Sequence, residues 1–261
     1  MMLRPIRRAV ALVFALALCV VRYWIKRLRG PLTLEQRAVW LQQAASIILK
    51  ALDIGSLVEG QPPACGLVVS NHLSYLDIII ISAAMPCFFV AKMEISGWPF
   101  FGKAARTGGT IFLDRSSLAS AMSVADQMTE RLQLPVPVLL FPEGTSTDGA
   151  QVLRFHSRLI DPATTAGAPV TAAAIRYEIE GGLDERLDER MDERELCWYG
   201  DESFTTHLWK VLGVSGFSAH LRFFEPRIYA DRRTAADQTH AEITAWREAN
   251  ALHLETAQSA N

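Results

Sequence analysis

The segment Asn71-His72-Leu73-Ser74-Tyr75-Leu76-Asp77 sets an imidazole and a carboxylate five residues apart. A histidine with an ordinary pKa near ~6.5 can take the proton of a hydroxyl at neutral pH while that oxygen attacks a carbonyl carbon. A carboxylate on its other ring nitrogen fixes the tautomer and stabilises the imidazolium that forms. The attacking hydroxyl would belong to a substrate, so this chemistry needs no serine from the protein. Spacing constrains the geometry. Five residues turn a helix by about 500°, which leaves the two side chains about 140° out of register. They meet only if His72 lies in the turn before a helix and Asp77 in its first turn. Ser74 then falls at the N-cap and Asp77 at N3, which opens a second reading: Asp77 completes a capping box and His72 is a loop histidine.

Two further segments carry polar groups at the ends of apolar runs. Gly109-Thr110-Ile111-Phe112-Leu113-Asp114-Arg115 ends in an arginine, and Phe141-Pro142-Glu143-Gly144-Thr145 ends in a carboxylate, a glycine and a hydroxyl. Arg115 could clamp an anionic head group through two parallel hydrogen bonds. Glu143 could hold acceptor hydroxyls, and Gly144 lets the backbone approach a ligand closely. Singly, Arg115 also reads as a surface ion pair and the Pro142–Thr145 run as a turn. Three such segments in succession, each closing a strand, are harder to assign to chance.

The elements needed to position these groups are legible in the pattern. Thr33-Leu34-Glu35-Gln36 reads as a capping box opening a helix to about residue 51. Gly66–Ser70 reads as a buried strand, followed by a helix from about Ser74 to Ala84 and a strand at Phe88–Ala91. A short helix near Trp98, a strand at Thr110–Leu113, a helix at Ser116–Leu132 and a strand at Val136–Phe141 continue the alternation. Pro169–Tyr177 reads as a fifth strand, Ser218–Phe224 as a last one, and Thr234–Asn250 as a terminal helix. Repeated alternation of this kind specifies an α/β fold with a largely parallel sheet covered by helices.

Charge and composition narrow the partners. The first thirty residues hold seven arginines and lysines and no acid, although the whole chain of 261 residues carries a net charge of only −2. A basic end beside the apolar run Ala9–Val21 points to a membrane surface, and nucleic acid is disfavoured because no basic stripe continues through the rest. Thirteen or so apolar residues are short of the roughly twenty a perpendicular span needs. A retained anchor lying in or crossing the bilayer is therefore expected, with a signal peptide or an ordinary core helix as alternatives. Both flanks are basic, so the positive-inside rule gives no orientation. Cys19, Cys65, Cys87 and Cys197 form no metal-ligand spacing and read as small core residues, so no metal is expected. His156, His207, His220, His240 and His253 read as surface or satisfied histidines. Trp98, Phe100 and Phe101 read as core or as a membrane-facing lip. The tandem run Leu183-Asp-Glu-Arg, Leu187-Asp-Glu-Arg, Met191-Asp-Glu-Arg reads as a solvated insertion at about 180–195 whose acids and bases pair along a helix surface.

Taken together, the N-H-x-x-x-x-D segment at 71–77 and the F-P-E-G-T segment at 141–145 resemble the glycerolipid (1-acylglycerol-3-phosphate) acyltransferase family. The similarity covers roughly Leu67 to Tyr177, including Val90-Ala91-Lys92, Trp98-Pro99, Gly102 and Lys103. It implies an αβ fold with His72 as general base and Asp77 as its partner at the mouth of an acyl-binding tunnel. Arg115, Glu143, Gly144 and Thr145 would contact the acceptor head group. It implies no cofactor: acyl-CoA or acyl carrier protein would serve as co-substrate, and a lysophospholipid in the membrane as acceptor. The expected placement is the cytoplasmic face of the inner membrane. Cys197-Trp198-Tyr199-Gly200-Asp201 with His207-Leu208-Trp209 resembles the lyso-ornithine lipid acyltransferase subgroup. Two departures from the family pattern bear on head-group choice: Phe155-His156-Ser157-Arg158 where Phe-Lys-x-Gly is usual, and Pro169-Val170-Thr171-Ala172 where V-P-V is usual. A lipid-binding protein without catalysis and a lipid hydrolase are the competing classes; the chain has no G-x-S-x-G elbow for the latter. The expected organisation is an anchor at 1–30, an acyltransferase domain at 31–230 and a terminal helix and tail at 231–261.

Overall fold

The computed structural model describes residues 3–98, 101–114, 118–179 and 192–259. Two helices come first, α1 (Leu3–Arg27) and α2 (Leu34–Leu52), the second opened by the expected box in which Thr33 Oγ1 accepts the Gln36 N–H and the Gln36 side chain accepts the Thr33 N–H. Strand β1 (Ile54–Glu59) follows, then β2 (Leu67–Ser70), α3 (Tyr75–Ala84), β3 (Phe88–Lys92), a 3-10 turn at Met93–Gly97 and α4 (Phe101–Gly108). Next come β4 (Ile111–Leu113), α5 (Leu118–Leu132), β5 (Val138–Leu140), the short α6 (Asp161–Thr165) and β6 (Val170–Ile179). The chain closes with α7 (Phe204–Gly213), β7 (Phe217–Phe223) and α8 (Arg232–Ser259).

The strands form one sheet in the order β1-β7-β6-β2-β5-β3-β4. From β6 through β4 every neighbouring pair is parallel, whereas β7 runs antiparallel to β6 and carries β1 parallel to itself. The largely parallel α/β sheet expected from the alternation is present. All four residues of β2 are buried, as a central parallel strand covered on both faces requires. Successive side chains serve opposite layers. Val68 joins Leu49, Ile80 and Leu212 of α2, α3 and α7 in one core, while Leu67 and Val69 join Val124, Met128, Ile243 and Trp246 of α5 and α8 in the other. The terminal helix is thus part of the fold and covers one face of the sheet.

Strand β1 and helices α6 and α7 are absent from the sequence reading. Gly55 and Ser56 weaken the strand signal, and the outward residues of an edge strand lack alternation: its burial runs from Ile54 inward to an exposed middle. Three of the four cysteines are buried as expected, but Cys65 is exposed. Of the charged repeats, residues 180–191 lie outside the described residues. At the end of the last copy Asp192 and Arg194 are exposed as expected, Arg194 pairing with Asp148, whereas Glu193 turns inward to pair with Arg247 of α8 at 2.7 Å.

Helix α1 lies along the domain. Arg8, Ala15 and Cys19 form a buried stripe at helical spacing. Arg8 donates to the Val214 carbonyl at 2.6 Å, and the Trp40 indole N–H donates to the Cys19 carbonyl at 3.2 Å. Much of the remaining surface of α1 is apolar and uncovered: Val10, Val13, Phe14, Val20, Val21, Trp24 and Ile25 are all exposed, beside the exposed Arg4, Arg7, Arg22 and Arg27. It is the single helix among the described residues long and apolar enough to cross a membrane.

At the entry to the central strand, Gly66 has φ +86°, and a Cβ there would meet the Pro169 carbonyl oxygen at 2.3 Å. That oxygen accepts the Leu67 N–H, so it cannot retreat without breaking the β2–β6 ladder. Gly66→Ala is expected to lower unfolding free energy by at least about 2 kcal/mol. A urea titration with an unchanged midpoint would remove this account.

Candidate active site

Because β2 and β5 are parallel and in register from Leu67↔Val138, their C-terminal ends release the 71–74 loop and the 141–145 loop on the same edge of the sheet. Open α/β sheets concentrate reactive groups along that edge. His72 Nδ1 lies 2.7 Å from Asp77 Oδ2. The histidine sits in the turn ahead of α3 and Asp77 in its first turn, the one arrangement that the five-residue spacing permits. The imidazole is about one-fifth exposed and the carboxylate fully buried. With Oδ2 accepting, Nδ1 carries the proton, and Nε2 has no partner among the described residues.

Asp77 both caps α3 and contacts the His72 ring. Oδ2 accepts the Leu73 N–H at 2.7 Å and the Ser74 N–H at 3.1 Å as well as the His72 ring. The carboxylate caps α3 and orients the imidazole with one oxygen. Ser74 Oγ itself is buried without a hydrogen-bond partner, so the cap runs through the carboxylate alone. The other oxygen, Oδ1, accepts the hydroxyl of Tyr177 on β6.

The loop that carries His72 is pinned on every side. Asn71 imitates a strand residue: its amide donates to the Ile175 carbonyl at 3.0 Å and its oxygen accepts the Ile175 N–H at 2.9 Å. The His72 carbonyl accepts the Thr147 N–H, and the Leu73 carbonyl accepts the Trp198 N–H, both at 2.9 Å. The Phe141 ring stacks on the imidazole, with centroids 4.0 Å apart and planes 15° from parallel. This flat contact holds the ring plane without occupying either nitrogen.

Glu143 is buried and braces the protein from both oxygens. Oε1 accepts the His72 N–H and Oε2 the Leu153 N–H, each at 2.8 Å. Burial pushes its carboxyl up to about 7, against the two backbone bonds and the facing His72, which favour the charged form. Gly144 takes φ +75°, the left-handed turn that suits glycine, and Thr145 is exposed. Strand β4 ends on the same edge at Leu113, but Arg115 lies outside the described residues, as do Pro99 and Phe100. Of the two pattern departures, His156 is exposed and its N–H donates to the Pro142 carbonyl, beside the Glu143 turn. Thr171 is fully buried inside the sheet opposite Val68, so its exchange alters packing and not head-group contact.

His207 is buried, its Nδ1 3.1 Å from the Tyr75 hydroxyl. Tyr75, Trp98, Trp198 and Phe204 form a cluster of edge-on aromatic contacts against the motif. The sequence gives Tyr177, Phe141, Asn71 and Leu153 no role at the dyad. A tyrosine or phenylalanine in a buried strand reads as core, and backbone donors carry no side-chain signature.

Glu143→Gln tests the brace. An amide has one acceptor oxygen, so one of the two backbone N–H groups must lose its partner, at a cost of about 1–3 kcal/mol. Linkage gives a second signature. A carboxyl raised from 4.5 to about 7 binds more protons folded than unfolded, so Glu143 makes stability fall as pH rises through that window. Urea unfolding at pH 5 and pH 7.5 should show this slope in the wild type and its loss in Glu143→Gln. Equal slopes in both proteins would contradict the assignment.

Comparison with known proteins agrees with this geometry. Residues 59–176 match the model of the Acyltransferase family. The chain is 33% identical over 219 residues to a 1-acyl-sn-glycerol-3-phosphate acyltransferase of Neisseria gonorrhoeae, covering 79% of this chain and 81% of that one. It is 30% identical over 208 residues to a lyso-ornithine lipid O-acyltransferase of Pseudomonas aeruginosa, covering 79% and 69%. The crystal structure of a 1-acyl-sn-glycerophosphate acyltransferase from Thermotoga maritima superposes with a TM-score of 0.65 at 17% identity, over 94% of this chain and 96% of that one, a likeness that bears on the fold. On the strength of these matches, with the histidine–aspartate pair and the Phe141–Thr145 turn on one sheet edge, the chain belongs to the acyltransferase family.

Proposed function

We propose that the protein moves a fatty acyl group from acyl-CoA or acyl carrier protein to the free hydroxyl of 1-acyl-sn-glycerol-3-phosphate, giving phosphatidic acid at a membrane surface. The observation that carries this reading is the 2.7 Å contact between His72 Nδ1 and Asp77 Oδ2, which leaves Nε2 without a partner among the described residues. Nε2 takes the acceptor's hydroxyl proton as the oxygen bonds to the thioester carbonyl carbon. Asp77 stabilises the imidazolium. When the tetrahedral intermediate collapses, the carbon–sulfur bond breaks and the imidazolium returns its proton to the departing thiolate. Glu143 and Gly144 shape the turn that receives the acceptor, with Thr145 and Arg115 offering it a hydroxyl and a guanidinium.

Acyl transfer to a lyso-ornithine acceptor is the second reading. The segments that resemble that subgroup pack directly on the motif, with Trp198 N–H on the Leu73 carbonyl and His207 on Tyr75. Labelled acyl donor should be incubated with lysophosphatidic acid, with lyso-ornithine lipid and with neither. Product that requires an acceptor means transfer, free acid means hydrolysis, and no turnover means a binding protein. The preferred acceptor decides between the first two readings. His72→Ala is expected to lower kcat by roughly 10²–10⁴-fold while leaving the fold intact; retention of half the wild-type activity would overturn the base assignment.

Membrane attachment is assigned to the free face of α1. Its buried stripe holds it against α2 and α7, so the exposed apolar side and the exposed Arg4, Arg7, Arg22, Arg27 and Arg29 form a surface suited to an anionic interface, at the cytoplasmic side where acyl thioesters are made. Phe14→Glu combined with Val21→Glu places two charges on that face and spares the packing stripe. Sedimentation with anionic vesicles should drop at least roughly tenfold, since each lost apolar contact is worth about 1.5–3 kcal/mol. Undiminished binding would remove α1 as the anchor.

A further inference from the structure

Three of the four donors to Asp77 come from its own motif: the His72 ring and the Leu73 and Ser74 backbone N–H groups, all on Oδ2. The fourth comes from across the sheet. Tyr177, near the end of β6, gives its hydroxyl to Oδ1. We propose that Tyr177 is a positioning residue for acyl transfer: its phenol pins Oδ1 and keeps Oδ2 turned toward His72 Nδ1. This rests on the reading of His72 as the proton acceptor.

The tyrosine is itself immobilised. Its N–H donates to Glu193 Oε1 at 2.8 Å, its ring meets Phe217 edge-on at 5.9 Å, and it is 1% exposed. Burial first, and then the charge of Asp77, push its phenol well above the usual tyrosine range, so it remains a donor wherever the enzyme works. Without it, Oδ1 has no other hydrogen-bond donor among the described residues. The ionisable groups facing this pair are His72 from the loop after β2, Glu143 from the loop after β5, Glu193 and Cys197 from the segment before α7, and Arg247 from α8. Arg247 is paired with Glu193 and donates to the Ile175 and Gly149 carbonyls, so it does not replace the phenol.

A carboxylate that loses a donor becomes more basic and holds the imidazolium more tightly. In Tyr177→Phe the acid limb of the kcat–pH profile should therefore move up by about 0.5–1 pH unit, because protonated His72 persists to higher pH. Proton return to the leaving thiolate slows, so kcat on the alkaline plateau should fall about 3–10-fold, with both KM values within about twofold because Tyr177 touches neither substrate. Installing 3-fluorotyrosine at position 177 makes the donor stronger, and the limb should move the opposite way.

The experiment measures acyl transfer to lysolipid across pH for wild type, Tyr177→Phe, the fluorotyrosine protein and His72→Ala, with thermal unfolding of each. Opposite displacements of the limb in the two tyrosine variants support the inference. A lowered Tm with an unmoved profile and unchanged kcat would show a purely structural tyrosine and overturn it, while inactivity of His72→Ala leaves the proposed function standing. If His72→Ala remains active, the base reading fails and this inference falls with it. Should Tyr177→Phe not fold, the near-isosteric fluorotyrosine protein decides alone, and a limb that does not move overturns the proposal.

Discussion

The site depends on one buried carboxylate. Asp77 joins the N-terminus of α3, the turn that presents His72 and the far side of the sheet through Tyr177. A fully buried charge is tolerable only when its lone pairs are occupied, and here four donors converge on two oxygens. Removing any donor unbalances the rest, so the helix cap, the tautomer of His72 and the attachment of β6 are one interaction seen from three sides. The capping reading and the catalytic reading of the motif therefore need not compete.

Glu143 shows the contrast between two carboxylates that both contact His72. Each accepts backbone N–H groups around His72, yet Glu143 has two donors and Asp77 four. Burial outweighs its two backbone donors, and Glu143 is left able to take a proton near neutrality. Both of its oxygens accept backbone N–H groups, which ties the loop after β5 to His72. Phe141 completes the frame by stacking rather than bonding.

Much of this is legible in the sequence. The N-H-x-x-x-x-D spacing admits one geometry, and the alternation of apolar runs with helical segments admits few sheets. Legibility ended where the determinant was long-range. Tyr177 lies 100 residues from Asp77, and a tyrosine closing a buried strand carries no local mark of its partner. Glu193 sits in a charge-rich tandem repeat whose composition reads as solvated, although Arg247 and the Tyr177 N–H draw it inward. Strand β1 is exposed at Ser56, Leu57 and Val58 and exists because β7 supplies its ladder, a pairing that its local sequence does not reveal.

That ladder has a consequence for how the chain comes to be folded. Glu59 of β1 and Arg222 of β7, joined at 2.8 Å, are 163 residues apart in sequence. At synthesis rates of about 5–20 residues per second, β1 waits roughly ten to thirty seconds for its partner. The α1–α2 hairpin, made of local contacts, leaves the ribosome at the start of that interval, with its apolar face already formed. Until β7 emerges, the unpaired edge of β1 and the exposed apolar side chains of α1 are the surfaces of the nascent chain open to other partners.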